Sequence, residues 1–113
     1  MRILIVNNKI DRRSRERVVT QLPVRVRSAP GEAELIAQTR DVSTNGVFLY
    51  TGSQMVEGSN VELILILPPE LTRGEKCWVC CHAQVLRVEQ GPGKKFGVAA
   101  AIRRMDLLPE IPV

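Results

Sequence analysis

The sequence predicts an all-β fold: six antiparallel strands closed into a small barrel, with a flexible basic arm before it and a short helical segment after it. Two observations carry this. Apolar residues recur with a period of two in several short stretches, and Gly, Pro and Asn-rich turn signals separate those stretches. No segment between them has a strong helical period. Closing such a sheet removes its exposed edges. The 113 residues make one domain, and their 44% apolar and 25% charged composition is that of an ordinary globular protein.

The elements follow in order. Met1–Ile10 reads either as an extra strand or as a disordered leader. In the first barrel strand Leu22, Val24 and Val26 face one way, with Arg25 and Arg27 opposite. After the Ala29-Pro30-Gly31 turn, Glu34–Val42 is rich in strand formers. Asn45-Gly46 then signals a hairpin whose type I′ turn needs positive φ at both residues. Val47, Leu49 and Thr51 alternate with Phe48 and Tyr50; beyond Glu57-Gly58-Ser59-Asn60, Val61, Leu63, Leu65 and Leu67 alternate with Glu62, Ile64 and Ile66. Pro68-Pro69 breaks the chain before Lys76–Glu89, and Gly91-Pro92-Gly93 turns it into the strand beginning at Phe96 and reaching Ile102. Arg103–Leu108 reads as one or two helical turns that Pro109 stops. The division is a leader and arm at 1–17, a barrel at 18–108 and a tail at 109–113.

Several function classes drop out. The longest apolar run, Leu63–Pro69, is far shorter than the ~20 residues a helix needs to span a bilayer. The four apolar residues after Arg2 are too few for a secretory signal, so a cytoplasmic protein is expected. Cys77, Cys80 and Cys81 are an odd, crowded set that suits reduced thiols rather than a disulfide framework. With His82 they resemble a metal cluster, but on a strand Cys77 and Cys81 point to one face while Cys80 and His82 point to the other. Buried small hydrophobes are therefore expected there, and no metal. His82 is the only histidine and has no evident nucleophile partner, so no enzyme is expected. Gly91-Pro92-Gly93-Lys94-Lys95 lacks phosphate-loop spacing.

Charge is more informative. Asp11–Val18 reads DRRSRERV, and from Asp11 to Arg27 six arginines face two acids, a local +4 that equals the net charge of the whole chain. All the basic excess lies in one segment. Such a patch is either a solvated charge run or a site for an anionic partner such as nucleotide phosphate, nucleic acid or acidic lipid.

Two motifs in order give that patch a meaning. Arg13-Ser14-Arg15-Glu16-Arg17 supplies R-x-x-x-R, and Asp41-Val42-Ser43-Thr44-Asn45-Gly46 supplies D-x-S-x-x-G where two early strands join. Over about Asp11 to Leu108 the chain resembles the PilZ domain family, receptors for the bacterial second messenger cyclic di-GMP. Phe96-Gly97-Val98-Ala99 is similar to the family's closing strand, while the C-terminal segment is shorter than the helix many members carry.

The resemblance implies a ligand site of Arg12, Arg13, Arg17, Asp41, Ser43 and Gly46. Arginine's planar fork can hold a phosphate or a guanine O6/N7 edge bidentately, as lysine cannot. Asp41 can accept from the guanine N1–H and N2–H₂ donors, Ser43 can donate to an oxygen, and Gly46 is expected to supply the backbone conformation that holds both. Arg12 precedes the pair, a place where an arginine goes in this family with two stacked ligand molecules per site. The expected protein is a non-catalytic cyclic di-GMP receptor that reorders its arginine arm to signal to a partner protein. The alternative is a PilZ-like interaction module that no longer binds nucleotide. A nucleic-acid binder would want stacking aromatics on an exposed face, and only Phe48, Tyr50, Trp78 and Phe96 are present.

Overall fold

The computed structural model describes residues 4–6, 9–11, 16–28, 34–72 and 76–108. The chain runs β1 (Leu4–Val6), β2 (Lys9–Asp11), β3 (Val18–Val19), β4 (Pro23–Arg27), β5 (Leu35–Val42), β6 (Gly46–Thr51), β7 (Asn60–Leu67), a single turn of helix α1 (Pro69–Thr72), β8 (Cys77–Gln90) and β9 (Phe96–Leu108). Six strands pair antiparallel in the order β5-β4-β7-β8-β9-β6, and β6 pairs back onto β5, so the barrel is closed. The all-β barrel expected from the alternation is what the chain forms.

Period two explains the interior. Val24, Val26, Leu63, Leu65, Leu67, Val79, Val85 and Val98 are all at most 4% exposed and point inward. Cys77 and Cys81 share that interior, as the alternation of β8 requires. β1 and β2 pair antiparallel as a separate two-stranded sheet, so the described part of Met1–Ile10 is strand; Ile10 packs against the core from there.

Three features differ from the sequence reading. Arg103–Leu108 is not helical but continues β9, with Met105 opposite Cys81 and Leu108 opposite Trp78. The long β8 offers a free ladder there, and tertiary pairing overrides the helix-forming Arg-Arg-Met-Asp-Leu-Leu run. The Asn-Gly hairpin is centred one residue earlier than expected. Ser43 N–H donates to the Gly46 carbonyl at 2.8 Å, so Thr44 and Asn45 occupy the centre and Gly46 opens β6. Among the described glycines positive φ is found at Gly58 (84°) and Gly93 (61°), both in turns the sequence marks, and not at Gly46. Finally, β5 carries a bulge between Thr39 and Asp41, and β8 another between Val85 and Arg87.

Candidate functional site

The bulge in β5 sets up the site. Thr39 opposes Leu49 of the interior, but the next paired residue is Asp41, opposite Phe48, with Arg40 as the extra residue between them. An unbroken strand would have pointed Asp41 inward with Thr39. The bulge instead turns its carboxylate to the outer face, where Phe48 lies, a common use of bulges beside functional sites.

The chain leading to the barrel is tied along the other edge of β5. Val18 and Val19 pair with Val42 and Asp41. Thr39, fully buried, accepts from Leu22 N–H at 2.8 Å and donates its hydroxyl to the Thr20 carbonyl at 2.6 Å. This anchorage delivers Arg17 to Asp41. Arg17 Nε donates to Asp41 Oδ1 at 2.7 Å, and its Nη2 donates to the same oxygen. Arg40 Nε donates to Oδ2 at 2.7 Å, while its guanidinium lies 3.7 Å over the Phe48 ring. Phe48 is thus buried on the outside of the barrel, against Gly97 and beneath Arg40.

Asp41 is 6% exposed, and burial by itself would raise its pKa. The hydrogen bonds and charges of Arg40 and Arg17 outweigh that, and hold the carboxyl below the ordinary carboxylate range. A buried, ionised carboxylate with a guanidinium on each oxygen is therefore the electrostatic centre of the site.

Gly46 contributes space rather than unusual backbone. A Cβ there would lie 3.2 Å from Arg17 Nη1 and 3.3 Å from the Ala100 carbonyl oxygen, so only glycine lets the guanidinium settle over the hairpin without a shift. Ser43 is 2% exposed. Its hydroxyl oxygen accepts from the N–H groups of Gly46 (3.0 Å) and Asn45 (3.2 Å), and lies 3.3 Å from the Gly46 carbonyl as a donor. In this structure Ser43 braces the turn that carries Asp41.

These groups border a cleft of about 400 Å³ lined by Arg17, Arg40, Asp41, Ser43, Gly46 and Phe48 on one side, and by Leu86, Arg87 and Ala99–Ala101 on the other. The volume lies in the range of small-molecule sites. The second bulge shapes the far wall: Val85 opposes Ala100 and Arg87 opposes Ala99, so Leu86 is the extra residue and both Leu86 and Arg87 stand outward. Of the six residues expected from sequence, the structure brings together Arg17, Asp41, Ser43 and Gly46. Arg12 and Arg13 lie outside the described residues.

Arg40, Phe48 and Arg87 belong to the cleft and were not anticipated. An arginine next to the motif aspartate was the available signal for Arg40. Alternation placed it on the face opposite Asp41, and only the bulge brings the two together.

The family model of the PilZ domain matches residues 11–107. A solved structure of the Bacillus subtilis inhibitor of motility (MotI/DgrA) is similar in fold, with a TM-score of 0.67 at 21% identity over 88% of this chain. This chain spans 47% of the length of that one. No curated protein sequence matches. With the family model covering all six barrel strands, the arginine arm and the Asp41–Gly46 hairpin, the chain belongs to the PilZ domain family.

Proposed function

We propose that the chain is a cyclic di-GMP receptor whose site is the cleft over Phe48, and that it acts without catalysis. The observation that supports this best is the Arg17–Asp41–Arg40 cluster at the mouth of that cleft. A cyclic dinucleotide brings two phosphates and two guanines. Arg17, half exposed, has guanidinium donors beyond those given to Asp41 and can turn them to a phosphate or to a guanine O6/N7 edge. Arg40, held over the Phe48 ring, offers a planar cation on which a base can stack. Asp41 can exchange one of its arginine bonds for the N1–H and N2–H₂ of guanine, and Arg87 brings a cation to the opposite wall.

Arg12 and Arg13 complete the set in this reading. Arg13 pairs with Arg17 around the phosphates, and Arg12 offsets the charge of a second, intercalated ligand. Binding orders the arm over the barrel, and a partner protein reads the loaded surface. Leu86, 54% exposed in the cleft wall, and Val19, 85% exposed and paired with Asp41 in the strand ladder, are apolar groups such a partner could cover.

Selectivity tests this. In equilibrium dialysis cyclic di-GMP should bind far more tightly than cyclic di-AMP, because adenine has neither the O6 acceptor for arginine nor the N2 donor for Asp41. Equal affinity for the two dinucleotides would contradict the assignment.

A further inference from the structure

A second cluster lies on the outer face of the barrel, formed by β7, β8 and β9. Within β8, Cys80 and His82 are two apart and share this face. Glu62 of β7 is the cross-strand partner of His82, and Asp106 of β9 is the partner of Cys80. The alternation that keeps Cys77 and Cys81 away from Cys80 and His82 therefore leaves those two with ligands supplied by the neighbouring strands, which a reading along one strand does not reveal.

Ligand atoms of Glu62, Cys80 and His82 all lie within 4.8 Å of one another. Cys80 Sγ is 3.6 Å from Glu62 Oε2 and 3.9 Å from His82 Nε2, and His82 Nδ1 is 4.0 Å from Glu62 Oε2. Tetrahedral zinc, with bonds of about 2.3 Å to sulfur and about 2.0–2.2 Å to nitrogen or oxygen, sets its ligand atoms roughly 3.4–3.6 Å apart. Cys80 Sγ and Glu62 Oε2 already stand at that spacing, and His82 Nδ1 needs about half an ångström of closure on Glu62 Oε2.

Outer partners point the same way. Asp106 Oδ2 is 3.0 Å from His82 Nε2, the placement in which a carboxylate orients a metal-bound imidazole and leaves the other nitrogen to the metal. Arg27 takes Glu62 Oε1 at 3.1 Å, so Oε2 is the oxygen turned toward Cys80 and His82. Arg104 Nη2 now approaches His82 Nε2 at 3.0 Å; its side chain is 67% exposed and can withdraw. An adjoining cleft of about 450 Å³, lined in part by Glu62 and His82, gives access from solvent.

We propose that Cys80 Sγ, Glu62 Oε2 and His82 Nδ1 bind a zinc ion, with Asp106 holding the imidazole and water completing the tetrahedron. Thiolate and imidazole favour zinc over the hard cations calcium and magnesium. One thiolate and one carboxylate balance its charge, and the thiol proton leaves to solvent on binding. The site is separate from the Arg17–Asp41 cleft and does not depend on nucleotide binding.

The test uses the tag-free chain under reducing conditions, titrated with zinc against a chromophoric chelator and with cobalt(II) followed by absorbance. Zinc should bind at one per chain, and cobalt should give a thiolate-to-metal charge-transfer band that Cys80→Ser removes. His82→Gln and Glu62→Gln, at partly exposed positions that leave the fold intact, should each weaken zinc more than about ten-fold, and Asp106→Asn about ten-fold. No stoichiometric zinc would overturn the proposal, as would a cobalt complex lacking the thiolate band or parent-like affinity in both His82→Gln and Glu62→Gln.

Discussion

Removing Arg17 separates what the arm does for the fold from what it does for a ligand. In the free protein Arg17 gives two charge-assisted bonds to Asp41 Oδ1. Bonds to a charged group are worth about 1.5–3 kcal/mol when well shielded. Two features reduce that value. The Arg17 side chain is 48% exposed, so solvent screens it, and Arg40 still holds the other oxygen of Asp41. About 1 kcal/mol remains, which for a domain of this size lowers the melting temperature by about 4 °C. Arg17→Ala should therefore stay folded, melt slightly early, and lose at least ten-fold in cyclic di-GMP affinity. Lysine at this position should restore part of the charge but not the fork. Urea unfolding of Arg17→Ala, Asp41→Asn and the double variant measures the coupling directly. A coupling near zero would show that the ion pair does not form in solution. A loss above about 3 kcal/mol from Arg17→Ala alone would make Arg17 a structural residue.

Other consequences can be checked with equal directness. Arg12→Leu should lower the calorimetric ratio from about two cyclic di-GMP per chain toward one while keeping measurable affinity; a ratio of one in both proteins would make Arg12 plain surface charge. Gly97→Ala would set a Cβ 2.7 Å from Phe48 Cζ, and Phe48 is buried, so urea unfolding should show a loss of about 1–3 kcal/mol, with cyclic di-GMP affinity falling as Phe48 and Arg40 shift. Unchanged stability there would mean that Phe48 does not occupy the outer wall. Acid should release the Arg17–Asp41–Arg40 cluster. Because the Asp41 pKa is depressed in the folded state, its contribution is fully present above the ordinary value of 3.8 and is lost as pH falls through the lower folded value. The acid limb of a stability–pH curve should be shallower in Asp41→Asn than in the parent, and superimposable limbs would refute this.

Much of the barrel is legible in the sequence because period two and turn chemistry act locally. Val24 and Val26, Leu63 to Leu67, and Val98 to Ile102 announce their inward faces without reference to any partner strand. Legibility ends where pairing decides. Arg103–Leu108 has the composition of a helical turn and becomes strand only because β8 runs on beside it. The bulges at Arg40 and Leu86 leave no mark in the residue pattern, yet they turn Asp41 outward and set Leu86 and Arg87 against the cleft. The Asp41–Gly46 motif marks the joint between β5 and β6, but the turn centres on Thr44 and Asn45, and Gly46 has a steric role, making room for Arg17, in place of the expected backbone one. Cys80 and His82 were sorted correctly to one face, and what stayed hidden was Glu62 arriving from the next strand.

The most direct test of receptor function is calorimetric titration of cyclic di-GMP into the purified chain, repeated with Asp41→Ala. The parent should give saturable heat with about two ligands per chain, and Asp41→Ala should remain folded while losing most of that heat. Absence of saturable binding in the folded parent, or equal binding in Asp41→Ala, would contradict the account.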